Sequence, residues 1–147
     1  MKSKKIINID KAEKLIKQLR IKRKKIVLCH GVFDLLHVGH IKHFQEAKTF
    51  GDILIVTITP DKFVNKGPNR PAFNSQLRLE ALQALECIDY VAVNKWKTAK
   101  ETIKLLKPNI YCKGPDYKNH RNDISGQIKN EINEVKKFGG KIVHTHD

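Results

Sequence analysis

KIVLCHGVFDLLHVGHIKHF, residues 25–44, is the stretch on which the fold turns. It opens with a short apolar run, KIVLCH at 25–30, which reads as a buried strand and ends at Gly31. Val38, Ile41, Phe44 and Ala47 then recur at helical spacing, and Gly51 closes that helix on its C-terminal side. A strand, a glycine turn and a helix in succession open a βαβ unit.

The alternation continues outward. Upstream, DKAEKLIKQLRI at 10–21 puts Ala12, Leu15, Ile16 and Leu19 on one helical face, with Asp10 as the expected N-cap. Downstream, DILIVTIT at 52–59 is the strongest strand and stops at Pro60. DKFVNKGPNRPAF then reads as a loop rich in Pro, Gly and basic residues. Residues 75–87 read as a helix capped by Asn74 or Ser75, with Leu82 and Leu85 inward. DYVAVN at 89–94 is a strand, TAKETIKLL at 98–106 a helix ended by Pro108, and NIYCK at 109–113 a strand. Ile124, Ile128, Val135 and Phe138 mark a last helix, Gly139 and Gly140 end it, and KIVHT at 141–145 is a fifth strand.

Strands separated by single helices require right-handed crossovers and a parallel sheet covered on both faces. The expected fold class is α/β, a Rossmann-like three-layer α/β/α architecture with a five-stranded parallel sheet. The 147 residues and 16.9 kDa suit one domain. Residues 1–24 are expected to be a helical lead-in and 25–147 the core.

Composition narrows the function classes. At 40% hydrophobic and 30% charged, the chain can bury a real core. No apolar run approaches the roughly 20 residues that cross a bilayer, and MKSKKIINIDKAEK lacks the apolar centre of a signal peptide. Cys29, Cys87 and Cys112 are far apart and form no CxxC pair, so the expectation is inert core thiols in a reduced, cytoplasmic setting. The formal charge of +14 favours polyanions. That class spans nucleic acid, membrane surfaces and phosphorylated small molecules, but the lysines are dispersed with no nucleic-acid-binding motif, and most read as a solvated surface, so charge alone does not choose among them.

In such sheets ligands bind beyond the carboxyl ends of the strands, which nominates the segments after residues 30, 59, 94 and 113. In the first of these, Gly31 lets a phosphate approach the backbone, and a helix start near Val38 turns free N–H groups toward the same space. His37 and His40, three apart across that start, can point to one side with Gly39 leaving room between them. Two imidazoles there suit a phosphate undergoing substitution, because they can donate to its oxygens as charge builds. A metal reading is the alternative, since His37, His40 and His43 recur every three residues, but spacing disfavours it. His37, His40 and His43 sweep around the helix, with no carboxylate or thiolate in zincin order, so no metal ligand is assigned.

GVFDLLHVGH resembles the GxFDxxHxGH signature of the cytidylyltransferase-like nucleotidyltransferases, and the resemblance continues through RLEALQALECIDYV at 78–91, KGPDYK at 113–118 and GGKIV at 139–143. The lead-in IINIDKAEKLIKQLRIKRKKIV is similar to that of bacterial heptose-1-phosphate adenylyltransferases, whereas DLLHVGHI equally resembles glycerol-3-phosphate cytidylyltransferases. The resemblance implies transfer of AMP or CMP from ATP or CTP to a phosphorylated sugar or polyol, with Mg2+ accompanying the triphosphate and a homodimer as the assembly. It implies His37 and His40 as catalytic residues and Gly31, Val32, Phe33, Lys113, Gly114 and Asp116 as nucleotide-binding. Lys66 and Arg78 match basic positions of the family that would contact phosphate or substrate, and Arg70, in the same basic loop as Lys66, is expected to join them.

Several residues keep two readings. Lys66 and Arg70 are either phosphate contacts or solvated charges, and Arg78 either a ligand contact or surface charge on its helix. Asp34 is expected to shape the turn, and Asp116 to sit by ligand or cap its loop. Trp96 either walls the acceptor pocket or packs. His144 and His146 carry no motif.

Three features depart from the heptose-enzyme pattern. Cys29-His30 stands for Thr-Asn, Pro115 replaces a glycine in KGGDY, and the Ser/Thr-rich segment that follows the fifth strand in the family is not expected within residues 1–147. That last departure keeps open a nucleotide-binding regulatory module without turnover, beside a basic nucleic-acid-binding protein.

Overall fold

The computed structural model describes residues 4–64, 71–115 and 127–146. Five parallel strands, β1 (Ile26–Gly31), β2 (Ile53–Ile58), β3 (Tyr90–Val93), β4 (Ile110–Lys113) and β5 (Lys141–His144), form one sheet in the order β3-β2-β1-β4-β5. The helices are α1 (Ile9–Ile21), α2 (Val38–Lys48), α3 (Ser75–Gln83), α4 (Lys100–Leu106) and α5 (Gln127–Lys137), with a 3-10 turn at Asp61–Phe63. The α/β reading of the sequence therefore holds, strand for strand.

Strand alternation divides the core in two. Val27, Cys29, Leu54, Val56 and Ile58 face one side and pack with Phe44 and Ala47 of α2 and Leu79 and Leu82 of α3. Ile26, Leu28, Ile55 and Tyr111 face the other, against Ala12 and Ile16 of α1, Ile103 and Leu106 of α4 and Val135 of α5. Each fully buried Leu, Ile or Phe contributes roughly 1.5–3 kcal/mol. With Phe44 and Ala47 wholly buried, the first turn of α2 is held at a fixed height above β1. Strand order reverses between β1 and β4, so their carboxyl ends flank the crevice where such sheets bind ligands.

Some local expectations change. The N-cap of α1 is Asn8, whose side chain accepts from Asp10 N at 2.8 Å; Asp10 sits in the first turn and pairs with Lys95. The α3 helix stops at Gln83, short of the expected 87, and Ile124 lies outside the described residues. The lead-in is not only helical. Val91 N donates to Lys5 O at 2.8 Å and Ile7 N to Val91 O at 2.9 Å, a parallel bridge that covers the outer edge of β3.

Candidate active site

His37 is the N-cap of α2, with extended backbone, and its Nδ1 accepts from Gly39 N at 3.0 Å. His40, three residues on, returns the favour: its Nδ1 accepts from His37 N at 3.3 Å. Histidines thus close the reciprocal capping box usually made by Ser or Thr and Glu. The consequence is chemical. A neutral imidazole that accepts at Nδ1 carries its proton on Nε2, so the capping bonds set both rings in the tautomer that donates from Nε2. The ring centroids lie 4.0 Å apart at 41°.

Gly39 is required by this packing. A Cβ there would stand 2.7 Å from Cε1 of His37, inside contact distance. Phe33 supports the pair from below, with its ring edge-on to His40 at 5.8 Å and to Phe44 at 4.9 Å. Its backbone has φ +49°, a left-handed conformation that bulky residues rarely adopt, so this turn is strained. The ring folds back over Gly31, whose missing Cβ would lie 2.8 Å from Phe33 Cζ. The space over Gly31 that the sequence reading left to a phosphate is thus occupied by an aromatic side chain.

The loops around the crevice are tied by charged side chains. Asp34 accepts from Ala72 N at 2.6 Å and Phe73 N at 2.8 Å, the turn-shaping role expected of it. Arg78, expected at phosphate or substrate, is instead 1% exposed. Its Nη2 meets Asp61 Oδ1 at 2.6 Å, Nη1 donates to Val32 O at 2.8 Å and Nε to Phe73 O at 3.1 Å. Asp61 also accepts from Ser75 N at 3.1 Å. The sequence reading missed Asp61, although its place just past β2 was among the nominated segments.

Lys113 Nζ donates to His30 O at 3.4 Å, across the ends of β4 and β1. Desolvation, then the Lys113 charge, lower the His30 imidazole to about 3, and its Nδ1 meets Thr57 Oγ1 at 2.8 Å. The same two causes, in the same order, lower His43 to about 4. Among the described residues, nothing lies within 4 Å of where a Cβ on Gly114 would project. Trp96 packs at the margin of the α1 core, which favours its packing reading. His146, given no role from sequence, bonds Glu46 of α2 through N and Nδ1, each at 3.0 Å, and hydrogen bonds from His146 pull Glu46 below the usual carboxylate range against its own desolvation. Lys66, Arg70 and Asp116 lie outside the described residues.

A parallel sheet whose switch-point crevice is fronted by a helix start bearing two imidazoles is a nucleotide-binding α/β layout. The family profile described as cytidylyltransferase-like matches residues 28–143, and the chain belongs to that family of nucleotidyltransferases. It is 42% identical over 139 residues to the bifunctional protein HldE of Aliarcobacter butzleri (strain RM4018), covering 92% of this chain and 29% of the relative. It is 40% identical over 140 residues to that of Pelobacter propionicus (strain DSM 2379 / NBRC 103807 / OttBd1), covering 94% and 27%. The chain thus spans less than a third of these curated relatives. Among solved structures it is similar to the lipopolysaccharide core biosynthesis protein from Thermoplasma volcanium GSS1, with TM-score 0.68 and 28% identity over 84% of this chain and 98% of that one. A pantoate-beta-alanine ligase from Francisella tularensis shares the fold alone, with TM-score 0.60 at 18% identity over 95% and 66%.

Proposed function

We propose that this chain transfers AMP from ATP to the phosphate of a sugar 1-phosphate, releasing pyrophosphate. An oxygen of the acceptor phosphate attacks the α-phosphorus, and the bond to the oxygen bridging α and β breaks. No protein nucleophile is needed. The observation that carries the reading is the capping box itself, which holds two Nε2–H donors side by side at a helix N-terminus. Those donors stabilise the charge that grows on the α-phosphate and leaving oxygens, already aligned before the reaction begins. The preference for a sugar phosphate and ATP is supported by the likeness to HldE proteins and by the KGPDYK segment.

In this reading Val32 and Phe33 line the nucleotide through their backbone, Gly31 being covered by the Phe33 ring, and Lys113, Gly114 and Asp116 flank the base. Lys66 and Arg70 reach the phosphates, and Arg78 acts through the loops it braces. Residues 1–147 work as one domain, in the cytoplasm and as a homodimer. Among the described residues no helix is long and apolar enough to cross a membrane. Asp34 and Asp61 already hold backbone N–H groups, Asp61 with Arg78 as well, which suits Mg2+ held by triphosphate oxygens more than by a protein cage. When bound, magnesium offsets the phosphate charge that pyrophosphate carries away.

The test is pyrophosphate release with ATP, magnesium and a panel of sugar 1-phosphates. His37→Ala and His40→Ala are each expected to raise the barrier by about 2–4 kcal/mol. Turnover near that of the parent in either variant refutes the assignment. A parallel thermal-shift screen of the nucleoside triphosphates reads the base preference, since ligand binding to the native state raises Tm.

A further inference from the structure

On the α2 face of the sheet, beneath the histidine pair, Cys29, His43 and Cys112 bring two sulfurs and a ring nitrogen within 4.8 Å of one another. The register that sets Leu28 beside Tyr111 runs on to lay Cys29 next to Cys112, and His43 comes down from α2 one turn beyond His40. All three are buried, at 0%, 8% and 1% exposed in chain order. His43 Nδ1 lies 2.8 Å from Oγ1 of Thr145, itself fully buried. An oxygen partner that fixes the ring is the usual companion of a metal-bound imidazole.

We propose that Cys29, His43 and Cys112 form an N/S2 site for a thiophilic divalent cation, Zn2+ by its chemistry. Two thiolates and an imidazole are the donor set of zinc, and none of the three offers the oxygen that Mg2+ or Ca2+ demands. Bonds of about 2.0–2.3 Å in a tetrahedron put ligand atoms roughly 3.3–3.8 Å apart, so small side-chain movements close the site. On binding, each thiol releases its proton to solvent and each sulfur donates a pair to the metal. The dication with two thiolates and a neutral ring carries no net charge, which removes the main objection to burying it. One coordination position remains for an outside donor.

The location gives the ion a purpose. Cys29 precedes His30 and Gly31, Cys112 precedes Lys113 and Gly114, and His43 shares its helix with the histidine pair. A bound cation therefore rivets the ends of β1 and β4 to α2 beneath the crevice. It clamps the site and takes no part in the transfer, and the inference stands apart from the choice of substrate.

The experiment titrates reduced, metal-stripped full chain anaerobically with Co2+ and then Zn2+. One Co2+ per chain with thiolate-to-cobalt charge-transfer absorption, displaced by one equivalent of Zn2+, is expected for the parent and for Cys87→Ala. Cys29→Ala, Cys112→Ala and His43→Gln are expected to lose that signature, and Thr145→Val to keep the stoichiometry with about tenfold weaker affinity. Native-state alkylation of the unmodified protein covers variants that fail to fold: Zn2+ should slow modification of Cys29 and Cys112 and leave Cys87 unchanged. No stoichiometric uptake overturns the proposal. So does cobalt binding without the sulfur signature that persists in the cysteine variants, which assigns the ion to surface histidines.

Discussion

Replacing Arg78 with Met separates a residue that braces the site from one that touches substrate. Methionine fills much of the volume but has no donor. The Arg78 side chain is 0% exposed, whereas Asp61 is 42% exposed and can be rehydrated, so the lost ion pair is discounted to about 1 kcal/mol. The carbonyls of Val32 and Phe73 each lose a charged donor, at about 1 kcal/mol apiece. The sum is about 3 kcal/mol, and for a chain of this size each kcal/mol moves Tm by about 2–4 °C. The variant should therefore melt about 6–12 °C below the parent without any ligand present. A double-mutant cycle with Asp61→Asn, read from urea unfolding, should return a coupling of about 1 kcal/mol. Because Val32 lies between Gly31 and Phe33, the variant should also lose turnover, and Arg78→Lys should not restore it, since one ammonium cannot serve three divergent acceptors. An Arg78→Met protein that melts within about 2 °C of the parent and merely raises KM would place the guanidinium on substrate and refute the reasoning.

Two further outcomes follow from local geometry. Gly39→Ala puts a Cβ 2.7 Å from Cε1 of His37, so the ring must leave its capping position. A kcat reduced by about 10–100-fold is expected with Tm unchanged or a few degrees lower, because the lost cap, at about 0.5–2 kcal/mol, offsets the gain of up to about 1 kcal/mol from alanine in the helix. Equal kcat in this variant means His37 does not act from its cap. Lys107 closes α4 at φ +48°, so Lys107→Gly should relieve strain and stabilise the fold by about 0.5–1 kcal/mol, read as a higher urea midpoint at constant m, and a lower midpoint counts against the strain argument.

Much of the site was legible because its signals are local. The GVFDLLHVGH run names a turn, a helix start and two imidazoles within ten residues, and the helical spacing of Val38, Ile41, Phe44 and Ala47 sets the axis on which those rings sit. Even so, spacing could not say that the rings cap their own helix, because Asp, Ser or Thr does that work in most sequences. Nor could it say that Phe33 would turn left-handed and cover Gly31.

The alternation of strands and helices along the chain and the histidine pair follow from the amino-acid pattern, since hydrophobic periodicity and turn chemistry act over a few residues. Tertiary structure alone decided the fate of Arg78, which reads from sequence as a ligand contact or as surface charge until Asp61 and two distant carbonyls surround it. It also decided the meeting of Cys29, His43 and Cys112. Such contacts depend on the register between β1 and β4 and on the height of α2 above them. Both are set by packing the whole core, which no short window of sequence contains.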